Sequence, residues 1–355
     1  MPECRTFANY FFSMKEILSS DKETCAEVVR LIEASEHPLI ISHKNPDGDA
    51  IGSSMGLKFF LKKLGKKPNI IVPDSFPDFL DFLPGSENIK FFDRHRETSL
   101  RILEEADLIF FLDFNSLKRI DELGVLAGNK NVPKIMVDHH PFPEPIADYK
   151  YHRTNVSSTS ELIYEFCRLL FPTVSVQSKM ATCLYAGLST DTGTFRHNIH
   201  ENTHQTAGAL FKAGADHAAV IQHIFDSNSV DRMRLMGFCL FEKLVILREF
   251  ETAYIALSKE EMAAFHHRKG DTEGFVNQAL SIDGVKMAVL FTEQNDVLTK
   301  LSLRSKGDFA INDFAHKYFN GGGHKNAAGG IFEGTLDQTI LYFQEVLPDV
   351  QAINA

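Results

Sequence analysis

No stretch of this sequence approaches the roughly 20 consecutive apolar residues that a membrane-crossing helix needs. The short run FANYFF at residues 7–12 lacks the basic flank and the small-residue cleavage site of a secretory signal. These absences lead to the expectation of a cytoplasmic chain with no membrane partner. Cysteine is scarce and scattered: the five residues at positions 4, 25, 167, 183 and 239 contain no C-x-x-C pair. Their odd number and wide spacing argue against a disulfide framework and leave them as reduced filler. An excess of positive charge is also missing. Against 47 Asp and Glu there are 37 Lys and Arg, a formal net charge of -10. A broad basic face that tracks long duplex nucleic acid by phosphate neutralisation is therefore not expected, whereas a polyanion can still bind locally where metal ions supply the positive charge. No internal repeat or low-complexity tract is visible.

What is present is a two-part pattern. A chain of 355 residues exceeds one core of ordinary size, and 44% apolar residues suffice for two. Three apolar runs end alike: PLIIS runs into His43, DLIFFL into Asp113, and PKIMV into Asp138, His139 and His140. Between them lie segments of helical spacing, such as AIGSSMGLKFFLKKLG at residues 50–65. Continuous apolar strands that alternate with helices predict a parallel sheet covered on both faces, with ligands beyond the carboxyl ends of the strands. The expected fold class is thus α/β: a parallel-sheet domain joined by a helical linker to a smaller mixed α/β domain. The expected boundaries are an N-terminal extension at 1–30, with Met14 as an alternative start, a first domain at 31–229, a linker at 230–245 and a second domain at 246–355.

The stretch SHKNPDGDAIGS, Ser42 to Ser53, crowds His43, Asp47 and Asp49 around a Pro-Asp-Gly turn, in which Pro46 presets one dihedral and Gly48 accepts unusual ones. With Asp113 and Asp191, the aspartates Asp47 and Asp49 would bring four negative charges into one pocket. Carboxylates in close contact cannot all stay ionised unless cations join them. Two divalent ions balance four carboxylates, and mixed carboxylate and imidazole donors without a thiolate favour Mn2+ over structural zinc. A pair of such ions about 3.5 to 4 Å apart activates water for in-line attack at phosphorus.

Four ordered motifs carry a family resemblance: SHKNPDGDAIGS, LDFNS with Asp113, VDHHPFPE with Asp138-His139-His140, and LSTDTGTFRHN with Asp191. In these the chain resembles the DHH phosphoesterase superfamily. LSLRS at Leu301–Ser305 and GGGHKNAAGG at Gly321–Gly330 look like the DHHA1 substrate-binding domain. The architecture is most similar to bifunctional oligoribonucleases, or nano-RNases, which also remove the 3'-phosphate of adenosine 3',5'-bisphosphate. The resemblance implies that His43, Asp47 and Asp113 hold one Mn2+ and that Asp49, Asp113, His139 and Asp191 hold the other. Asp113 would then be the bridge, and Mg2+ or Co2+ are implied substitutes. It also implies that His140 faces the scissile phosphate as a proton donor or charge stabiliser, that Asp138 orients its neighbours from behind, and that the partners are short RNA and a nucleotide bisphosphate. A homodimer is the assembly it suggests.

In the second domain, Gly321, Gly322 and Gly323 before His324 would let backbone N–H groups approach an anion, as a nest does, and Arg304 offers a fork for phosphate. Read without the resemblance, each has an ordinary alternative as a tight turn or a solvent-facing strand residue. Arg196 reads equally as a substrate contact or a surface ion pair, His197, His200 and His204 as solvated, and His266-His267 has no convergent partner. Within the superfamily, a single-strand DNA exonuclease would need an extra oligonucleotide-binding fold, and a family II pyrophosphatase a different second domain. A phosphodiesterase acting on pApA or pGpG stays open, as does a non-catalytic nucleotide-binding protein on the same fold.

Overall fold

The computed structural model describes residues 14–350 except His197, and only the backbone of His324. The described residues form two compact units, which divide between Ser227 and Asn228. The first is built on strands β1 (Lys15–Glu16), β2 (Pro38–Ser42), β3 (Asn69–Val72), β4 (Lys90–Phe91), β5 (Leu108–Leu112), β6 (Lys134–Asp138) and β7 (Tyr149–His152). All pair in parallel, in the order β1-β7-β6-β5-β2-β3-β4. Helices α1 (Lys22–Ala34), α2 (Gly48–Lys63), α3 (Arg96–Glu105), α4 (Asp121–Asn129), α5 (Thr159–Leu170), α6 (Ser178–Asp191), α7 (Glu201–Lys212) and α8 (His217–Ile224) complete it.

Alternate strand residues feed two separate cores. Ile40, Phe110 and Val137 enter one, with α2, α5 and α6, while Leu39, Ile41, Ile109, Phe111 and Met136 enter the other. This is why the strands read as unbroken apolar runs. The chain leaves β2 toward β3 and β4 on one side, then returns to β5 and proceeds through β6 to β7 on the other. The reversal falls between β2 and β5, and it is beyond the carboxyl ends of strands at such a point that parallel sheets bind ligands.

Two expectations change here. Residues 1–13 lie outside the described part, but the rest of the expected extension belongs to the domain. β1 pairs with β7, and α1 buries Val28 and Ile32 in the core. A two-residue strand is too short to show periodicity, which hid it from sequence reasoning. The Pro46-Asp47-Gly48 turn also works differently. Gly48 begins α2, where a Cβ would collide with the side chain of Thr190, and the left-handed residue is Asn45 at φ 52°. Glycine is needed there for close approach.

The second unit holds a mixed sheet of β8 (Leu244–Leu247), β9 (Thr252–Leu257), β10 (Met287–Asn295), β11 (Leu298–Ser305), β12 (Gly322–His324) and β13 (Ala327–Glu333), ordered β12-β13-β11-β10-β9-β8. Its helices are α9 (Val230–Phe238), α10 (Lys259–Ala264), α11 (Phe275–Leu280), α12 (Ile311–Tyr318) and α13 (Leu336–Val346). Phe314, Phe319 and Phe343 pack on one face, Phe275 and Val276 on the other. The segment expected as a linker is part of this unit: Leu235 of α9 and Cys239 lie in the second of these cores. Cys25, Cys167, Cys183 and Cys239 are free thiols. No described helix is long and apolar enough to cross a membrane.

Candidate metal centre

The ends of β2, β5 and β6 deliver His43, Asp113 and His139, and helices α2 and α6 bring Asp47, Asp49 and Asp191. β2 stops at Ser42, and the next residue, His43, is almost fully buried. Its Nδ1 lies 2.9 Å from the Lys44 carbonyl oxygen, to which it donates in the Nδ1–H tautomer. That leaves Nε2 to face Asp47 Oδ1 at 3.9 Å and Asp113 Oδ2 at 3.4 Å. Asp47 is the N-cap of α2, with Oδ1 accepting from the backbone N–H groups of Asp49 and Ala50 at 3.0 Å each. This fixed cap orients a side chain that is otherwise 44% exposed.

Asp49 sits in the first turn of α2 and is buried. Its Oδ2 accepts from the Thr159 N–H at 2.6 Å and its Oδ1 from the Ser160 N–H at 2.9 Å. These donors are the open amides at the N-terminus of α5, where a carboxylate is favoured by both hydrogen bonding and the helix dipole. Asp113 follows β5 in a left-handed backbone conformation, φ 67°, which Asp adopts more readily than most residues. Its Oδ1 accepts from Thr159 Oγ1 at 2.8 Å.

At the end of β6, Asp138 is fully buried and its Oδ1 lies 2.8 Å from His140 Nδ1. His139 Nε2 lies 3.5 Å from Asp113 Oδ1, 3.4 Å from Asp191 Oδ2 and 3.9 Å from Asp49 Oδ2. Asp191 arrives from the last turn of α6. The six residues expected as ligands therefore meet at one rim, in two groups with mutually close donor atoms: His43, Asp47 and Asp113, and Asp49, His139 and Asp191. A third grouping, Asp113, His139 and His140, shares Asp113 with the first and His139 with the second.

The charge of this cluster is unevenly shared. Burial pushes the Asp49 carboxyl up to about 8, and the Asp113 charge adds to the shift. Burial and the Asp49 charge likewise raise Asp191 well above the usual carboxylate range. Burial alone would raise Asp113 too, but hydrogen bonds from His139 and His43 hold it well below that range. Burial opposes protonation of His139, yet its hydrogen bond to Asp113 and the charges of Asp191, Asp113 and Asp49 raise it to about 10. His43 is raised in the same way by Asp113 and Asp47 against burial. The raised Asp49, Asp191 and His139 and the lowered Asp113 are the response of clustered carboxylates that no cation neutralises. The donor set of carboxylates and imidazoles, with no thiolate, fits divalent ions of hard or borderline character.

Several contributors were not legible in the motifs. Thr159, Ser160 and Glu161 are fully buried, and the first two hold Asp49 and Asp113. The only local signal was the S-x-x-E spacing of Ser158 and Glu161, a helix-start pattern. His152 at the end of β7 contacts the His140 carbonyl oxygen at 2.7 Å through Nε2. His204 is not simply solvated, because it stacks on Phe195 at 5.2 Å. His197 lies outside the described residues.

The second unit places Arg304 on β11, opposite Ala288 of β10 and Ala327 of β13, with Nη1 donating to the Leu303 carbonyl oxygen at 3.0 Å. Of the glycine run, Gly322 and Gly323 lie in β12, and Gly321 directly precedes it. Gly322 and Gly323 pair with Gly329 and Ala328, and the Gly321 N–H donates to the Ala315 carbonyl oxygen. A Cβ on Gly321 would collide with the Gly329 carbonyl oxygen, and one on Gly323 (φ 140°) would lie 2.9 Å from Ala328 Cα. Close strand pairing explains two of the three glycines, whereas Gly322 is exposed with open space about it.

Comparison with known proteins matches residues 38–188 to the DHH family, N-terminal domain, and residues 261–349 to the DHHA1 domain. A protein of Bacillus subtilis named bifunctional oligoribonuclease and PAP phosphatase NrnA is 30% identical over 305 residues, covering 85% of this chain and 91% of its own. The cyclic-di-AMP phosphodiesterase GdpP of Geobacillus thermodenitrificans is 24% identical, and the match spans 90% of this chain but 48% of that protein. The crystal structure of an exopolyphosphatase-related protein from Bacteroides fragilis superimposes with a TM-score of 0.87 at 38% identity, over 93% of this chain and 96% of that one.

Proposed function

This chain belongs to the DHH family, and from that premise we propose that it hydrolyses short RNA oligonucleotides to 5'-mononucleotides and removes the 3'-phosphate of adenosine 3',5'-bisphosphate. In this reading two divalent cations, Mn2+ in the first instance, are held by His43, Asp47 and Asp113 and by Asp49, Asp113, His139 and Asp191. The observation that carries it is the division of the Asp113 carboxylate, with Oδ2 toward His43 and Oδ1 toward His139. Non-catalytic nucleotide binding would not require a carboxylate shared in this way. When bound, such ions supply a nucleophile from water at neutral pH and neutralise charge at phosphorus.

The chain's own groups would do the rest. With Nδ1 of His140 committed to Asp138, the proton for the leaving oxygen is held at Nε2, and the Asp138 carboxylate stabilises the ring while it is charged. Arg304, Gly321, Gly322, Gly323 and His324 are assigned to substrate phosphate or backbone. Gly322, exposed and without steric demand, is the glycine best placed for direct contact.

Incubating the purified chain and Mn2+ with a labelled RNA dimer, and separately with adenosine 3',5'-bisphosphate, is expected to yield mononucleotide and AMP. Absence of turnover on both substrates, with metal shown to be bound, would reject the assignment. The GdpP relative favours a second reading, a phosphodiesterase of cyclic-dinucleotide signalling acting on linear pApA or pGpG. Rates on pApA, cyclic di-AMP and RNA of two to five nucleotides separate the two, because preference for pApA over other RNA dimers marks the second.

A further inference from the structure

The segment Ser157–Glu161 is buried without exception, although all five residues are polar. Two of them, Thr159 and Ser160, hold Asp49 and Asp113 by the three hydrogen bonds described above. Among the described residues Glu161 makes no hydrogen bond to either aspartate. Its Oε2 instead accepts from the Ser157 N–H at 3.1 Å, from Ser157 Oγ, and from Thr203 Oγ1 of α7 at 3.1 Å. Ser157 is gripped again on its other side, where its carbonyl oxygen accepts from Asn198 Nδ2 at 2.7 Å. Ser158 Oγ closes the turn by accepting from the Glu161 N–H at 3.0 Å.

Among the described residues Glu161 has no ion-pair partner. A buried carboxylate without a cation is costly, and a helix start is capped more cheaply by the serine already there. Its three donors come from two places: the turn that holds the aspartates, and the first turn of α7. Thr203 is itself tied into that turn, accepting from the His200 N–H at 3.1 Å. The segment joining α6 to α7 begins directly after Asp191 and runs through residues with positive φ, Gly193, Thr194, Phe195 and Asn198. One carboxylate therefore cross-links the turn that aims Asp49 and Asp113 to the segment that follows Asp191.

We infer that Glu161 is a positioning residue for the metal centre, which sets the aim of Asp49 and Asp113 through the Ser157–Ser160 turn and ties that turn to the segment after Asp191. The inference rests on the two-cation reading above and deepens it. Partners that orient metal ligands from behind are typically worth about 10 to 100-fold in metal affinity or activity.

Mn2+ binding to the full chain, followed by calorimetry and by electron paramagnetic resonance, tests it without reference to turnover. Glu161→Gln keeps the shape of the side chain but replaces one acceptor oxygen with a donor. It is expected to weaken Mn2+ binding about 10 to 100-fold and to alter the Mn2+ spectrum, with circular dichroism unchanged. Thr203→Val removes a single donor to Glu161, should act in the same direction by a smaller factor, and stands in for the first variant should that fail to fold. Folded variants with the affinity, stoichiometry and spectrum of the parent chain would overturn the inference, leaving Glu161 as a helix-start residue only. A parent chain that binds no Mn2+ would instead overturn the metal-centre reading, and this inference with it.

Discussion

Asp113 turns its Oδ2 toward His43, 3.4 Å from Nε2 of that ring, and so keeps Oδ1 for the opposite group of donors. The two oxygens of one carboxylate therefore face different histidines, His43 on one side and His139 on the other. Thr159 Oγ1 limits rotation of the group by holding Oδ1 at 2.8 Å. Asp113 holds this position in a left-handed backbone conformation directly after β5.

Asp113→Asn retains a residue that tolerates positive φ and removes only the charge. It is expected to leave the fold intact and to lower turnover of an RNA dimer by more than about 100-fold, beyond the range of changes behind the ligands. The companion measurement is Mn2+ stoichiometry, which should fall below two. Undiminished turnover would exclude a shared carboxylate from the mechanism.

Metal uptake should release protons. In the cation-free chain burial and the Asp113 charge push the Asp49 carboxyl up to about 8, and the nearby carboxylates raise His139 to about 10, so their use as ligands at pH 7 is expected to displace protons. Competition by protons then begins below about pH 10 at His139 and is joined below about pH 8 by Asp49, and each displaced proton costs up to about tenfold in apparent affinity per pH unit. Calorimetric titration with Mn2+ in two buffers of different ionisation enthalpy should show net proton release at pH 7. Identical heats in both buffers would contradict the linkage.

His140 and Asp138 are expected to act on the chemical step rather than on metal uptake. Replacing His140 with Gln should lower kcat by about 10^2 to 10^4-fold, the range of general acid catalysis, with KM changed much less. Asp138→Asn should shift the acidic or basic limb of the pH–rate profile, since it alters the partner of Nδ1. A pH profile identical to the parent's in both variants would remove His140 from the proton path.

The contact between α2 and α6 depends on small residues. A Cβ on Gly52 would lie 2.6 Å from the Cys183 carbonyl oxygen and 2.8 Å from the Gly187 nitrogen, and one on Gly187 would lie 2.8 Å from Asp49 Oδ1 and collide with Ser160 Oγ. Both Gly→Ala variants should lose about 1 to 3 kcal/mol in urea unfolding through overpacking. Only Gly187→Ala should also weaken Mn2+ binding, because it presses on a ligand. Equal metal affinity in the two variants would show that Asp49 can move without consequence.

The local sequence of PLIIS, DLIFFL and PKIMV determines the central strands, because continuous apolar runs that lead into polar residues have few other stable uses. The motif order determined which acidic and imidazole groups to look for, and the DHHA1-like second unit follows from LSLRS and GGGHKNAAGG. What tertiary structure alone decided lies in contacts that no local pattern encodes. Thr159 and Asp49 are 110 residues apart, and Glu161 and Thr203 are 42 apart. The pairing of β1 with β7 joins Lys15 to Tyr149. That Gly321 and Gly323 are pressed against Gly329 and Ala328 while Gly322 is open is likewise set by the neighbouring strand and not by the run itself. Side-chain chemistry can be read along a chain, but the aim of each donor depends on which distant backbone amides and hydroxyls close around it when the sheet forms.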